Sequence, residues 1–98
     1  MRVISHRAIR TFAAKHPDAK TGLDQWYRIT KRASWHSLVD VRKVFPHADL
    51  VGRRTVFNIG GNKHRLIARI SYRTQQVFVL AILTHAEYDR QNWNEDCQ

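Results

Sequence analysis

Apolar residues recur at helical spacing through the first half of the chain. Ile9, Phe12 and Ala13 lie at positions i, i+3 and i+4, which places them on one face of a helix. A short β-branched strand at residues 2–4 precedes this helix, Ser5 is expected to be its N-cap, and Pro17 ends it. The periodicity continues beyond the proline, and the predicted helical ranges are residues 6–16, 18–32 and 37–44.

From residue 54 onward the pattern changes to an alternation of polar and apolar positions, which is typical of strands. Three strands are predicted, at residues 54–59, 64–72 and 76–83, and the short links between them suit antiparallel hairpins. The last strand is apolar on both faces, so we expect it to lie inside the sheet with both sides covered. Residues 46–52 are predicted to be a loop, and residues 85–93 to form a short C-terminal helix.

Together these elements predict an α+β fold, with a mainly antiparallel sheet of about four strands packed against the N-terminal helices. The 98 residues form one domain, residues 1–98, because too little chain remains to build a second core. The longest apolar run, residues 77–83, is too short to span a bilayer, and the first residues do not resemble a secretory signal. We therefore expect a cytoplasmic protein that does not bind membranes.

Charge narrows the class of partner. The chain has 17 Lys and Arg against 8 Asp and Glu, a formal net charge of +9, and no acidic residue lies between Asp49 and Glu87. Such a basic stretch favours a polyanion such as RNA, DNA or an acidic protein. Cys97 is the one cysteine, which excludes an internal disulfide and a cysteine metal cluster. The histidines show no metal-ligand spacing, so we expect no metal and no cofactor.

The strand predicted at residues 64–72 gathers the basic groups. Its period of two places Arg65, Ile67, Arg69 and Arg73 on one face. Like charges repel, so this face is explained either by a phosphate backbone that neutralises it or by solvation and pairing with the acidic C-terminal residues. We favour phosphate binding. The expected nucleic-acid contacts are Arg69, Arg73, Arg54, Asn58 and Asn62.

Four residues are candidates for catalysis. Arg65 stays protonated and can hold two phosphate oxygens at once, and Lys63 is close enough in the chain to reach the same phosphate. His85 follows the buried strand and can exchange a proton near neutral pH, although a histidine here can also simply cap a helix. Tyr88 shares its helical face and is suited to stacking on a base or relaying a proton.

Two segments resemble the HigB family of toxins from bacterial type II toxin–antitoxin systems: residues 56–68 (VFNIGGNKHRLIA) and residues 83–89 (LTHAEYD). The resemblance implies a RelE-like fold, a HigA-type antitoxin with a helix-turn-helix domain, and cleavage of mRNA, often on the translating ribosome. It also implies cleavage without a metal, in which the ribose 2′-hydroxyl attacks the adjacent phosphate and leaves a 2′,3′-cyclic phosphate.

By the same resemblance, Arg65 matches the strand arginine that acts on the scissile phosphate, and His85 and Tyr88 lie where such enzymes carry residues for proton transfer. Which of the two is the base stays open. The alternative function is a module that occupies RNA or a ribosomal site and blocks translation without cutting. Both functions need the basic strand face, and only cleavage predicts new RNA ends.

Overall fold

Five strands form one mixed sheet in a computed structural model of the chain, which describes residues 1–4, 6–61 and 63–90. The strands are β1 (Arg2–Ile4), β2 (Asp49–Val51), β3 (Arg54–Ile59), β4 (His64–Ser71) and β5 (Gln76–Thr84). The α-helices are α1 (His6–Lys15), α2 (Lys20–Arg32), α3 (Leu38–Val44) and α4 (His85–Asp89). The order across the sheet is β1-β5-β4-β3-β2, so the predicted α+β class is confirmed.

Pairing in the sheet is antiparallel except at one edge. The strands β2, β3, β4 and β5 run antiparallel to their neighbours, as consecutive strands joined by short turns do. The first strand instead lies parallel to β5, with Val3 opposite Val77. The chain must cross the sheet by way of its helices to make this contact, and the helices consequently cover one face of the sheet.

The second strand corrects the loop predicted at residues 46–52. Asp49, Leu50 and Val51 pair with β3 around a tight turn in which Gly52 adopts a φ of +62°. Because β2 is a short edge strand, it needs backbone pairing and little side-chain burial, and Leu50 is 53% exposed. The sequence of β2 therefore shows no alternation of polar and apolar residues from which a strand could be predicted. As a result the sheet has five strands, whereas about four were predicted.

The predicted inner position of the last strand is confirmed, since β5 lies between β1 and β4. Its predicted burial on both sides is wrong in part. A register shift between Ile67 and Ala68 leaves Leu80 as an extra residue opposite β4, and Leu80 is 44% exposed. The irregularity turns this part of the strand outward, so an apolar residue faces solvent.

The core lies between the helices and one face of the sheet, and aromatic rings fill its centre. Phe57 of β3 has no exposed surface and contacts Trp26, Trp35 and Phe45, with ring centroids 5.3 to 6.4 Å apart. Such edge-to-face and offset contacts add to the free energy gained by burying the rings. Trp26 and Trp35 are themselves buried, at 1% and 3% exposed, so they anchor this core.

The helix boundaries differ slightly from the predicted ones. A short 3-10 helix at Pro17–Ala19 replaces the start of the helix predicted at residues 18–32, because the fixed φ of proline suits a first turn and interrupts the preceding helix. The Ser5 cap and the part of the terminal helix beyond residue 90 lie outside the described residues. Within the described part, no helix is long and apolar enough to cross a membrane.

A glycine fixes the distance between α2 and the β3–β4 turn. A Cβ atom on Gly22 would lie 2.8 Å from the backbone nitrogen of Gly60, closer than side chains tolerate. Gly60 and Gly61 have φ values of +62° and +73°, which glycine adopts without a steric cost. Glycine is unfavourable inside a helix, but at position 22 it allows α2 to pack closely against the β3–β4 turn. This packing positions the turn that leads into β4.

Candidate active site

The candidate site lies on the sheet face opposite the core helices α1, α2 and α3, which is called the open face. Because side chains alternate along a strand, Arg65 projects to this open face while its neighbours His64 and Leu66 project toward the helices. Residues paired across strands share a face, so Asn58 on β3 and Leu83 on β5 flank Arg65. The central strand β4 is held on both sides, which makes it a rigid support for the guanidinium.

Beneath the open face, next to Arg65, lie two buried apolar side chains. Ile67 on β4 and Val56 on β3 lie opposite each other and are 2% and 3% exposed, although both point away from the helical core. They form a dry floor next to the arginine. A charge over such a floor interacts more strongly with an anion than it would in open water, because the local dielectric is lower.

The predicted row of arginines is only partly present. Arg65 and Arg69 share the open face, as the period of two requires. The strand ends at Ser71, one residue earlier than predicted, and Arg73 lies in the following turn, so its placement on the strand face is wrong. At about 3.3 Å per residue the end of β4 is roughly 20 Å from Arg65. Arg73 therefore lies near the opposite end of the sheet.

Tyr88 lies directly against the key arginine. The guanidinium carbon of Arg65 is 5.4 Å from the centre of the Tyr88 ring, which is the geometry of a cation–π contact. Burial raises the pKa of the Tyr88 hydroxyl; the charge of Arg65 lowers it, and the carboxylates of Asp49 and Asp89 raise it further. The net change is upward, so Tyr88 keeps its proton at neutral pH.

A capping box holds α4, and with it Tyr88, over this end of the sheet. The Thr84 hydroxyl accepts a hydrogen bond from the Glu87 amide at 3.2 Å, and the Glu87 carboxylate accepts one from the Thr84 amide at 2.9 Å. Thr84 is also the last residue of β5 and pairs with His64. The helix thus starts at a fixed point of the sheet, directly beside Arg65.

His85 and Lys63 meet at the same end of β4. The amide of His85 donates a hydrogen bond to the carbonyl oxygen of Lys63 at 3.1 Å, which ties α4 to the β3–β4 turn. The Nδ1 atom of His85 is 3.3 Å from an oxygen of Asp89, one helical turn further on. The His85 side chain is about half exposed and so remains accessible to a substrate.

The four predicted catalytic residues therefore lie at one end of the sheet, with Arg65 and Tyr88 in side-chain contact. Lys63, Arg65, His85 and Tyr88 all lie where β4 begins and β5 ends. Among the predicted RNA contacts, Asn58 lies next to Arg65, and Arg54 lies on the same face further along β3. Asn62 lies outside the described residues.

Sequence reasoning missed Asp49. Its residue range was predicted to be a loop, yet as part of β2 its carboxylate is close enough to Tyr88 to raise the hydroxyl pKa. The same carboxylate accepts a hydrogen bond from Arg42 at 3.5 Å. Only the pairing of β2 with β3 brings this acid to the site, and no motif in the sequence indicates that pairing.

Comparison with known proteins decides the family. A family model described as the HigB toxin, a RelE-like toxic component of a toxin–antitoxin system, matches residues 19–91. The chain belongs to the HigB toxin family. The matched range contains α2, the whole hairpin that carries Arg65, and α4, so membership of the HigB family rests on the parts of the chain that build the site.

Curated relatives of this HigB family member agree. The mRNA interferase HigB of Escherichia coli O6:H1 is 33% identical over 93 residues, covering 92% of this chain and 90% of the relative. The mRNA interferase toxin HigB of Escherichia coli K12 is 29% identical over 92 residues, covering 91% and 88%. The mRNA interferase HigB of Shigella flexneri shows the same identity and coverage.

Proposed function

We propose that this toxin is an mRNA endoribonuclease that needs no metal for cleavage and acts on mRNA during translation at the ribosome. The observation that carries the proposal is the Arg65 guanidinium against the Tyr88 ring at 5.4 Å, over a dry floor on an open sheet face. Family membership and the names of the relatives, mRNA interferases, support the same reaction class.

Arg65 binds the scissile phosphate in this proposal. Its planar guanidinium can donate two parallel hydrogen bonds to phosphate oxygens, and it keeps its charge at any relevant pH. The pentacoordinate phosphorane carries one more negative charge than the bound phosphodiester, so a fixed cation stabilises it more than it stabilises the ground state. Lys63, exposed at the start of the strand, adds a second positive charge to the same phosphate.

Proton transfer is divided between the two residues of α4. His85 accepts the proton of the 2′-hydroxyl as the 2′-oxygen attacks phosphorus, since imidazole is the side chain that most often serves as a general base. Tyr88 donates its proton to the departing 5′-oxygen, since its raised pKa keeps the hydroxyl protonated until that oxygen takes on charge. The products are a 2′,3′-cyclic phosphate and a free 5′-hydroxyl, and proton exchange with water restores both side chains.

The RNA on either side of the cleaved bond follows the open face. Arg69 lies roughly 13 Å from Arg65 along β4, or about two nucleotides of extended chain, and Arg54 lies beside it on β3. Asn58, next to Arg65, is placed to hydrogen bond a base or a ribose. Arg73 is not part of this path, because the strand ends before it.

The cellular partners follow from toxin–antitoxin membership. A toxin of this class requires an antitoxin, and we propose a HigA-type protein with a helix-turn-helix domain. The net charge of +9 suits both an acidic antitoxin surface and ribosomal RNA. Its site of action is then the cytoplasm.

Cleavage is tested by mapping RNA ends after brief induction of the toxin and after mixing the purified protein with translating ribosomes. New ends that carry a 2′,3′-cyclic phosphate are expected with the parent. Arg65→Ala, His85→Ala and Tyr88→Phe should each lower the cleavage rate by roughly 10²–10³-fold. Arg10→Ala removes an exposed charge on α1 and serves as the matched control, with little change expected.

Two results would overturn the proposal. Blocked translation with unchanged RNA ends would mean that the protein occupies RNA or the ribosome without cutting. Full cleavage by Arg65→Ala at equal expression would mean that the site lies elsewhere.

A further inference from the structure

Three potential metal ligands meet on the helical side of the sheet, away from the cleavage site. One ligand atom from each of His16, Asp18 and His64 lies within 4.8 Å of the other two. His16 follows α1, Asp18 lies in the 3-10 helix, and His64 opens β4. Residues far apart in the sequence thus converge, which explains why ligand spacing in the sequence did not predict the cluster.

The His64 ring is the buried member of the cluster. The residue is 4% exposed, and its Nδ1 atom has no hydrogen-bond partner among the described residues. The ring is packed edge-on against Phe12 and His16, with centroids 5.4 and 5.7 Å away. An unpaired polar atom in such an environment is costly, and a buried imidazole is commonly satisfied by an ordered water, a side chain or a metal ion.

We propose that His16, Asp18 and His64 bind a divalent transition-metal ion of the Zn²⁺ class. Two imidazoles and one carboxylate are a ligand set that suits zinc, and a water molecule completes four-coordination. Bonds of about 2.0–2.1 Å in a tetrahedral site place the ligand atoms about 3.3 Å apart, so separations of up to 4.8 Å must shorten by at most about 1.5 Å. Asp18 is exposed and His16 partly exposed, so both can move toward the fixed His64 ring.

The ion would connect two parts of the fold that are otherwise held together by side-chain packing. The link between α1 and α2 would be joined to the first residue of β4, and the next residue on that strand is Arg65. His64 and Arg65 point to opposite faces, so the ion would not touch the cleaved phosphate. The ion would therefore act on the fold and not on the phosphate, and its binding does not depend on the proposed cleavage reaction.

Zinc binding is tested on the full chain without a histidine tag, after treatment with a chelator. Titration with ZnCl₂ in a calorimeter should give one equivalent of bound zinc, and Co²⁺ should give the visible absorption bands of a tetrahedral site. At a free zinc concentration of 100 times Kd, the melting temperature should rise by at least about 5 °C.

The variants His16→Ala and Asp18→Asn change partly or fully exposed residues, so they should fold and weaken zinc binding at least tenfold. His47→Ala removes an exposed histidine outside the cluster and should bind as the parent does. Unchanged affinity in both cluster variants, or no rise in melting temperature with the parent, would overturn the proposal. So would loss of zinc binding in His85→Ala, which would place the ion at the His85 and Asp89 pair instead.

Discussion

Replacing Gly22 with alanine should destabilise the protein, against the usual rule for helices. At an unobstructed position inside a helix this change stabilises by roughly 1 kcal/mol. Here the new Cβ would lie 2.8 Å from the Gly60 nitrogen and 3.3 Å from its Cα, and backbone atoms cannot turn aside as a side chain can. Overpacking costs about 1–3 kcal/mol, and a clash with backbone atoms belongs to the upper part of that range. A cost of about 2–3 kcal/mol, less the gain of about 1 kcal/mol in helix propensity, gives a net loss of about 1–2 kcal/mol.

Thermal unfolding followed by circular dichroism measures the loss. For a domain of this length, 1 kcal/mol corresponds to about 4–8 °C, so the melting temperature of Gly22→Ala should fall by roughly 5–10 °C. Thr21→Ala, at an exposed position of the same helix, is the control and should change the free energy of unfolding by less than about 0.5 kcal/mol. A melting temperature of Gly22→Ala equal to or above that of the parent would refute the close approach of α2 to the turn.

Three further perturbations test other parts of the structure. Thr84→Ala removes the N-cap of α4 and should lower the free energy of unfolding by about 0.5–2 kcal/mol in a denaturant titration. Hydrogen bonding to Thr84 lowers the pKa of Glu87. The ionised carboxylate therefore stabilises the fold fully above the ordinary carboxyl pKa, and this stabilisation is lost as the pH falls through the lowered pKa. The difference in melting temperature between the parent and Glu87→Gln should accordingly vanish in acid. In a plot of the logarithm of the binding constant for single-stranded RNA against the logarithm of the salt concentration, Arg69→Ala should reduce the slope by about 0.7. Arg73→Ala should leave the slope unchanged, and equal effects of the two variants would contradict the proposed RNA path.

The central hairpin could be predicted from the sequence because polar and apolar residues alternate at the end of its strands that carries Arg65. Phe57 and Leu66 alternate with Asn58 and Arg65, and this alternation sets both the strands and the face on which each side chain lies. The alternation alone is therefore enough to place Arg65 on an open face. The same logic failed at Arg73, because nothing in an alternating pattern shows that the strand ends at Ser71.

Contacts between distant parts of the chain could not be predicted. The edge strand β2 is held by backbone hydrogen bonds and buries little side-chain surface, so its sequence shows no apolar alternation that would place Asp49 in a strand. The position of Tyr88 against Arg65 depends on where the cap at Thr84 starts α4 relative to the register of β5. His64 is a polar residue on the core face, and a sequence pattern does not reveal that its ring is buried among Phe12 and His16.

The parallel pairing of β1 with β5 has a consequence for synthesis of the toxin. Residue 2 of β1 can pair with residue 76 of β5 only after residue 76 has been synthesised. The first strand therefore stays unpaired while most of the described chain leaves the ribosome. Contacts of such long sequence separation form late, because the chain must first lose the entropy of closing the loop. Tyr88 follows later still, so its contact with Arg65 forms only after β5 has been made. A growing chain that is still short of residue 88 therefore lacks the contact on which the proposed cleavage rests.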